Sequence, residues 1–458
     1  MGGLENMTKI IKSLIFRGLV TAVLAKVFLI SVAFGQSLDL DLAAAIEISL
    51  QNNESFLIAK KELDRAGARV TEAVSGALPQ ITGGLVYNRN WRVPTGVFQM
   101  GDEVVTFKFG TEHNYTADVT LTQPLYSGGR TFTALSMART YRKMAGDMVV
   151  QARQDLKVSV FNSFYGAVLA REILRVNRES YGLAEENLDV VQKMYDQGMV
   201  AEYDLLRARV AVSNLEPEVI KAENDAEVAM ANLRNLLGIE RDVEVNLSTD
   251  LDSSQFILPP VDPDEAEIEL QQDRPEIKIM RRQTELNEKL VSIAKAGYRP
   301  SLSFTTTLQY QAQFNDGSVF DKKWDRSLNS MLILSVPIFD SWKTPSRVKQ
   351  ARIDVVQSRL SEESLIKNMI LDFEQSQGKY SEARKRLASQ GDAVELARRG
   401  LAIARVRYEN GVGTQLEVSD ARLSLARAEI NRAVAFHDLA VSYAALMRSL
   451  GREIEPAM

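Results

Sequence analysis

Few residues in this chain have the type and spacing that chemistry needs. The two histidines, His113 and His437, stand in no ligand-spaced cluster, and no His-Glu-x-x-His occurs. His437 falls on an apolar helical seam, where a packed or hydrogen-bonded role is expected. Gly128-Gly129-Arg130 lacks the spacing of a phosphate-cradling loop. There is no cysteine, which removes disulfides, thiol catalysis, thiolate metal sites and a lipid-carrying cysteine. Most acids are interleaved with bases, as Glu382 is with Arg384, Lys385 and Arg386, and read as solvated helix faces. Glu417 and Asp420 remain. Thr414 followed by Glu417 is a capping-box pattern, and acids in a first turn suit the helix dipole. Asp420 lies further in and is less easily explained by capping. No catalytic constellation, cofactor or metal site is expected.

The elements that carry these residues are unusually long. The stretches 127–197 and 340–410 are helical in character, and a helix over the first would be roughly 105 Å long at 1.5 Å per residue. Ordinary globular helices are far shorter. Three landmarks repeat at one offset: Pro124 and Pro337, Gly198 and Gly411, Gly238 and Gly451 (337 − 124 = 411 − 198 = 451 − 238 = 213). Pro79 and Pro300 are 221 apart, so the first copy has the longer loop (300 − 79 = 221). Each copy reads helix, two strands, long helix, turn, helix. The expected divisions are a signal peptide over 1–35, a first repeat over 36–238, a connector over 239–262, a second repeat over 263–451 and a tail over 452–458. Within the repeats, helices are expected at 42–77, 127–197, 201–237, 263–297, 340–410 and 414–450, and hairpins at 80–126 and 300–339.

Residues Leu205, Ala208, Val212, Leu215, Val219, Ala222, Ala226, Ala229, Leu233 and Leu236 step by three and four, a coiled-coil seam rich in alanine. Leu416, Leu423, Ala426, Ile430, Ala433, Ala440, Ala444 and Met447 follow the same rhythm. An ordinary antiparallel bundle core would show it too. Pro217 should bend its helix.

The first 35 residues read as an export signal: Lys9, Lys12, Arg17 and Lys26 precede the apolar run 27–34, with a small-x-small site before Gln36. The formal charge is −5; removing the signal, which contributes +3 (four bases against Glu5), leaves about −8 and argues against nucleic acid as a partner. The strands point to an outer membrane. Tyr115, Ala117, Val119 and Leu121 alternate with Thr116, Asp118, Thr120 and Thr122; Leu302, Phe304, Thr306, Leu308 and Tyr310 alternate with Ser303, Thr305, Thr307 and Gln309. Segments of about ten residues with one apolar and one polar face suit a barrel with lipid outside and water inside. Trp91, Trp324 and Trp342 lie in or beside these hairpins, as interfacial aromatics do. Four strands cannot close a useful barrel, so several copies must share one; a trimer gives twelve strands.

On these features, and on the Gln123–Arg130 passage and the Tyr408–Arg422 tip, the chain from Leu38 to Gly451 resembles the TolC family of outer-membrane efflux and secretion channels. The resemblance implies a mainly α fold: a homotrimer with a shared twelve-stranded β-barrel in outer-membrane lipid and an α-helical coiled-coil tunnel in the periplasm. It implies that Gly198, Gly411 and Gly413 form the tip turns where a periplasmic adaptor docks, and that loops 92–113 and 313–326 face outward. It implies an inner-membrane pump of RND, ABC or MFS type as the driving partner. Glu417 and Asp420 would form narrowing acidic rings that favour cations. Asp204 is the first-copy equivalent of Glu417, and Tyr408 could reach it across the tips. Gly413 stands where some relatives carry an arginine, so a charged latch from that position is not expected. The function implied is a passive exit duct of a tripartite efflux or type I secretion system, gated at the tips; a periplasmic helical scaffold without a pore is the alternative.

Overall fold

The computed structural model describes residues 38–101, 103–240, 243–248, 253–258, 261–317 and 319–454. The expected signal, with its cleavage site, and the last residues of the tail lie outside them. Two compact units contain the described residues. One holds those up to Leu57, Arg153–Asp262 and those from Asp372 on; the other holds Ile58–Ala152 and Pro263–Leu371. Two long helices, α3 (Arg130–Asp196) and α7 (Lys343–Glu409), contribute to both. Each has 67 residues, about 100 Å at 1.5 Å per residue. Their starts are 213 apart (343 − 130), as are the starts of the 36-residue helices α4 (Glu202–Leu237) and α8 (Gln415–Leu450) (415 − 202). Helix α4 continues through Pro217.

The expected first helix of each copy is instead two. In copy one α1 (Leu42–Asn52) and α2 (Glu54–Ser75) flank Asn53, at φ −62° and ψ 121°. In copy two α5 (Pro263–Asp273) and α6 (Pro275–Lys295) flank Arg274, at φ −63° and ψ 120°. The breaks are 221 apart (274 − 53), the offset of Pro79 and Pro300. Pro275 disfavours helical backbone at Arg274. Asn53 breaks its helix with its side chain. Its Oδ1 accepts from Phe56 N (3.2 Å), and its Nδ2 donates to the Leu236 carbonyl (3.0 Å).

In the unit containing the tips, strand β1 (Leu38–Leu40) pairs in parallel with β6 (Val245–Leu247) of the connector. The connector then drives Phe256 among Tyr165 of α3 and Phe436 and Tyr443 of α8, at ring separations of 5.4–5.6 Å. Burying an aromatic ring of this kind contributes about 2–3 kcal/mol. The connector is therefore part of the core, and its small sheet was not foreseen.

In the other unit a four-stranded antiparallel sheet has the order β2-β5-β7-β8: Gln80–Arg89, His113–Tyr126, Ser301–Phe314 and Asp325–Ser335. The register aligns rows across it. Thr82, Thr120, Thr307 and Asn329 share one row, and Gly84, Asp118, Gln309 and Ser327 the next on that face. The opposite face carries Gly83, Val119, Leu308 and Leu328, then Leu85, Ala117, Tyr310 and Arg326. The loop expected at 92–113 contains a further hairpin, β3 (Thr95–Met100) and β4 (Glu103–Lys108), turning at Gly101. Among the described residues no helix is long and apolar enough to cross a membrane.

Candidate functional site

Two helical hairpins, α3–α4 and α7–α8, end in turns built from equivalent residues. At the first, Gly198 at φ 73° lets its N–H reach Tyr195 O (2.8 Å) and lets Met199 N reach Met194 O (2.9 Å). At the second, Gly411 at φ 72° does the same, with Tyr408 O at 3.0 Å and Val412 N on Arg407 O at 3.0 Å. Such left-handed positions are accessible to glycine without a Cβ clash. Gly413 is required by crowding instead: a Cβ there would lie 3.0 Å from both Arg407 Cβ and Tyr408 N. Behind each turn sits a small apolar cluster. Val191, Leu205 and Ala208 pack with Leu188 and Val200 in the first; Leu401, Ala404 and Val418 pack with Tyr408, Ala421 and Leu425 in the second. Beyond the turns Met199 and Val412, again equivalent positions, are exposed.

The acidic residues sit on this frame. Thr414 Oγ1 accepts from Glu417 N (3.3 Å), so the capping half of the capping box is made. The Glu417 carboxylate does not return to Thr414; it lies 3.6 Å from Arg407 Nε, and Arg407 also donates to Val412 O (3.4 Å). Asp420 is exposed, and its carboxylate meets no ion-pair partner among the described residues. Asp204 lies in the first turn of α4, where its N–H bonds to Ala201 O (3.0 Å). Tyr408 makes no bond to Asp204; it packs on its own hairpin's cluster.

Two arginines were missed by the sequence reading. Arg407 is a cation at the second tip although Gly413 is not; its first-copy counterpart is Met194. Arg422 joins the two hairpins, its Nη1 donating to the Leu183 carbonyl of α3 (3.2 Å). Beside it Arg175 of α3 approaches Glu429 of α8 (3.9 Å). Between the hairpins lies a cavity of about 350 Å³, lined in part by Leu183, Leu215, Asp420, Arg422 and Leu423. Only the placement of Arg422 on a seam-forming helix, between Leu416 and Leu423, hinted that it would be half-buried.

At the sheet, Trp91 follows β2 with the Arg89 guanidinium 4.0 Å above its ring, and Trp324 precedes β8 against Tyr115. Tyr87, His113 and Phe314 stack at this same end. Trp342 lies past the other end of β8, edge-on to Phe339. Between the two aromatic ends the apolar face leaves Ile81, Leu85, Leu328, Leu332 and Leu334 exposed. Ten residues rising about 3.3 Å each and tilted about 40° span roughly 25 Å, the height of a membrane barrel's apolar band. Among the described residues the outer strands β2 and β8 pair on one side only. Among the described residues no group of His, Asp or Glu could hold a metal.

Comparison with known proteins agrees with this geometry. The family model described as outer membrane efflux protein matches residues 45–239 and 268–452, one segment per copy. A probable outer membrane lipoprotein, SilC of Salmonella typhimurium, is 24% identical over 82% of this chain and 78% of its own length. The alkaline protease secretion protein AprF of Pseudomonas aeruginosa is 20% identical over 89% of this chain and 83% of its own. The solved structure of CusC superposes with a TM-score of 0.73 at 19% identity, covering 92% of this chain and 96% of that one. The duplicated helices, the two-faced sheet and these matches together place the chain in the outer membrane efflux protein family, the TolC-type non-enzymatic channels of efflux and secretion systems in the Gram-negative outer membrane.

Proposed function

We propose that three copies of this chain pool their four-stranded sheets into one twelve-stranded barrel and their long helices into one tunnel. The observation that carries this is the sheet itself. It has one apolar exposed face, one polar face and two unpaired edges, and a bilayer tolerates no open edge. Exposed apolar stripes support it: Ile353, Val356 and Leu360 at one end of α7, and Leu396, Ile403 and Val406 at the other, are left exposed among the described residues. Because the chain contains no cysteine, cross-linking is clean. Leu85→Cys on β2, paired in turn with Leu328→Cys, Leu332→Cys and Leu334→Cys on β8, should give disulfide-linked trimers in at least one register. Lone subunits in every register, from material extracted out of the outer membrane, would sink the trimer.

The tips act as the gate in this reading. Glu417 and Asp420 from three copies converge on the axis; Asp420 carries the unbalanced charge, while Arg407 offsets Glu417. Asp204 and Tyr408 support the closed arrangement through the first turn of α4 and the α7–α8 cluster. Replacing both Glu417 and Asp420 with Ala should raise conductance in planar bilayers, and unchanged conductance would remove them from the gate. Exposed Met199 and Val412, held out by Gly198, Gly411 and Gly413, form the docking surface for a periplasmic adaptor, which joins the channel to an inner-membrane pump. The names of relatives span protease secretion and cation efflux, so cargo follows the pump. Trp91, Trp324 and Trp342 anchor the barrel at the two membrane interfaces. Residues 1–35 serve as the export signal, and the divisions at 36–238, 239–262, 263–451 and 452–458 are the working domain limits.

A further inference from the structure

The polar face of the sheet carries acids and no bases. Its rows contain Thr82, Gly84, Val86 and Asn88 of β2; Thr116, Asp118, Thr120 and Thr122 of β5; Thr305, Thr307, Gln309 and Gln311 of β7; and Asp325, Ser327, Asn329 and Met331 of β8. Asp325 opens its strand, at the rim. Asp118 is the sixth of the fourteen residues of β5, well inside the sheet. The bases on these strands, Arg89 and Arg326, occupy positions of the other parity.

Asp118 is seated by its neighbours. Its partner across β2 is Gly84, and a Cβ at that position would come 2.8 Å from Asp118 Oδ1. Glycine leaves the carboxylate this space; a larger residue would push it aside. Thr120 Oγ1 approaches Asp118 Oδ2 at 3.4 Å and Thr307 Oγ1 at 3.0 Å, so a hydroxyl ladder runs along the next row. Gln309 faces it from β7, and no cation lies within ion-pair distance among the described residues. A carboxylate without a counter-ion, on a face of hydroxyls and amides, is a fixed charge whose field acts on whatever passes.

We propose that Asp118 is a selectivity residue of the barrel passage, a ring of three carboxylates that favours cationic solutes over anionic ones. This rests on the shared-barrel reading above. Twelve strands about 4.8 Å apart and tilted about 40° close on a radius of roughly 12 Å. The charges therefore stand far apart, and salt decides their reach. At about 10 mM the Debye length is about 30 Å and the ring's field fills the bore; at 1 M it is about 3 Å and the centre is screened. A ring of acids in a wide pore thus gives a cation preference that is strong at low salt and fades at high salt.

The test is reversal-potential measurement on purified channels in planar bilayers under a KCl gradient. Asp118→Asn keeps the shape and removes the charge. The experiment is run in the wild-type tip background and with Glu417→Ala and Asp420→Ala, so that the tip charges are separated from the barrel charge. Expected is a fall of about two-fold or more in the potassium-to-chloride permeability ratio near 10 mM, in both backgrounds, with no change near 1 M. Asp118→Lys should move the preference toward chloride. Heat-modifiable trimers on gels establish that each variant is assembled. Assembled channels whose low-salt selectivity ignores both substitutions would overturn the inference and leave the channel reading intact. Failure of the wild-type chain to form trimeric pores would overturn the channel reading itself.

Discussion

Arg422 of α8 donates through Nη1 to the backbone carbonyl of Leu183 on α3 at 3.2 Å, while its Nε is buried without a partner. It is a direct hydrogen bond between the two tip hairpins. Burial, followed by the charge of Arg405, holds the Arg422 pKa below the usual arginine value, with Glu186 opposing. The contact therefore carries a desolvation cost: a charged group is kept partly out of water for one good bond.

Loss of that bond should loosen the tips. A hydrogen bond from a charged donor contributes about 1.5–3 kcal/mol, and desolvation of Arg422 cancels part of it. Arg422→Ala should lengthen open dwell times severalfold in single-channel records, and Arg422→Lys should fall between. The guanidinium stays charged far above neutrality even with a lowered pKa. Its cost is present at every working pH, and the variant's effect should not vary between pH 5 and pH 8. Identical gating in wild type and Arg422→Ala would exclude the latch.

The starts of the two long helices meet the same backbone demand with different residues at equivalent positions. Gly128 and Gly129 enter α3 at φ 66° and 89°; Ser341 and Trp342 enter α7 at φ 54° and 66°. A side chain in that region costs roughly 1–2 kcal/mol. Ser341→Gly should raise the temperature at which trimers dissociate on gels. Gly128→Ala should lower it more sharply, because its Cβ would also meet the Ala296 carbonyl at 2.9 Å. Equal shifts from the two substitutions would contradict this account.

Charge ties down the segment just past α8. Lys157 on α3 lies 2.6 Å from Glu453. Burial opposes ionisation of Glu453, but Lys157 and Arg153 outweigh it and hold the carboxyl below its ordinary value of 4.5. A depressed carboxyl pKa stabilises above the unfolded value and loses that contribution as pH falls through the folded one. Glu453→Gln should therefore destabilise at pH 7, and the difference should shrink as the pH is lowered toward 3. Solvent screening limits the effect to under about 1 kcal/mol. Thermal melts of the detergent-solubilised protein at the two pH values check it; a loss of equal size at both would show no linkage to Glu453.

One hydroxyl holds the connector on both sides of Ile257. Tyr380 of α7 donates to the Phe256 carbonyl (2.6 Å) and accepts from Leu258 N (3.0 Å). Tyr380→Phe leaves both groups unpaired in a buried place, at a cost of about 1–3 kcal/mol. Proteolysis between residues 243 and 258 should become faster than elsewhere in the chain. A cleavage pattern like the wild type's would show that Phe256 packing alone suffices.

Periodicity and spacing were enough for the large parts. Offsets of 213 exposed the duplication because one chain cannot place two equivalent turns without repeating the residues that permit them, Gly198 and Gly411. Alternation in β5 and β7 exposed a sheet with unlike faces because successive side chains must point opposite ways. The sequence also showed where glycine would be needed, but not what it would be needed against. Gly84 matters because of Asp118, a neighbour across the register. The break at Asn53 depends on the Leu236 carbonyl, 183 residues away. Arg407, Arg422 and Tyr380 acquired their roles from partners on other helices or on the connector. Local pattern records the period of an element and the φ its turns require; which side chain meets which across the fold depends on register and packing, and those exist only once the elements are assembled.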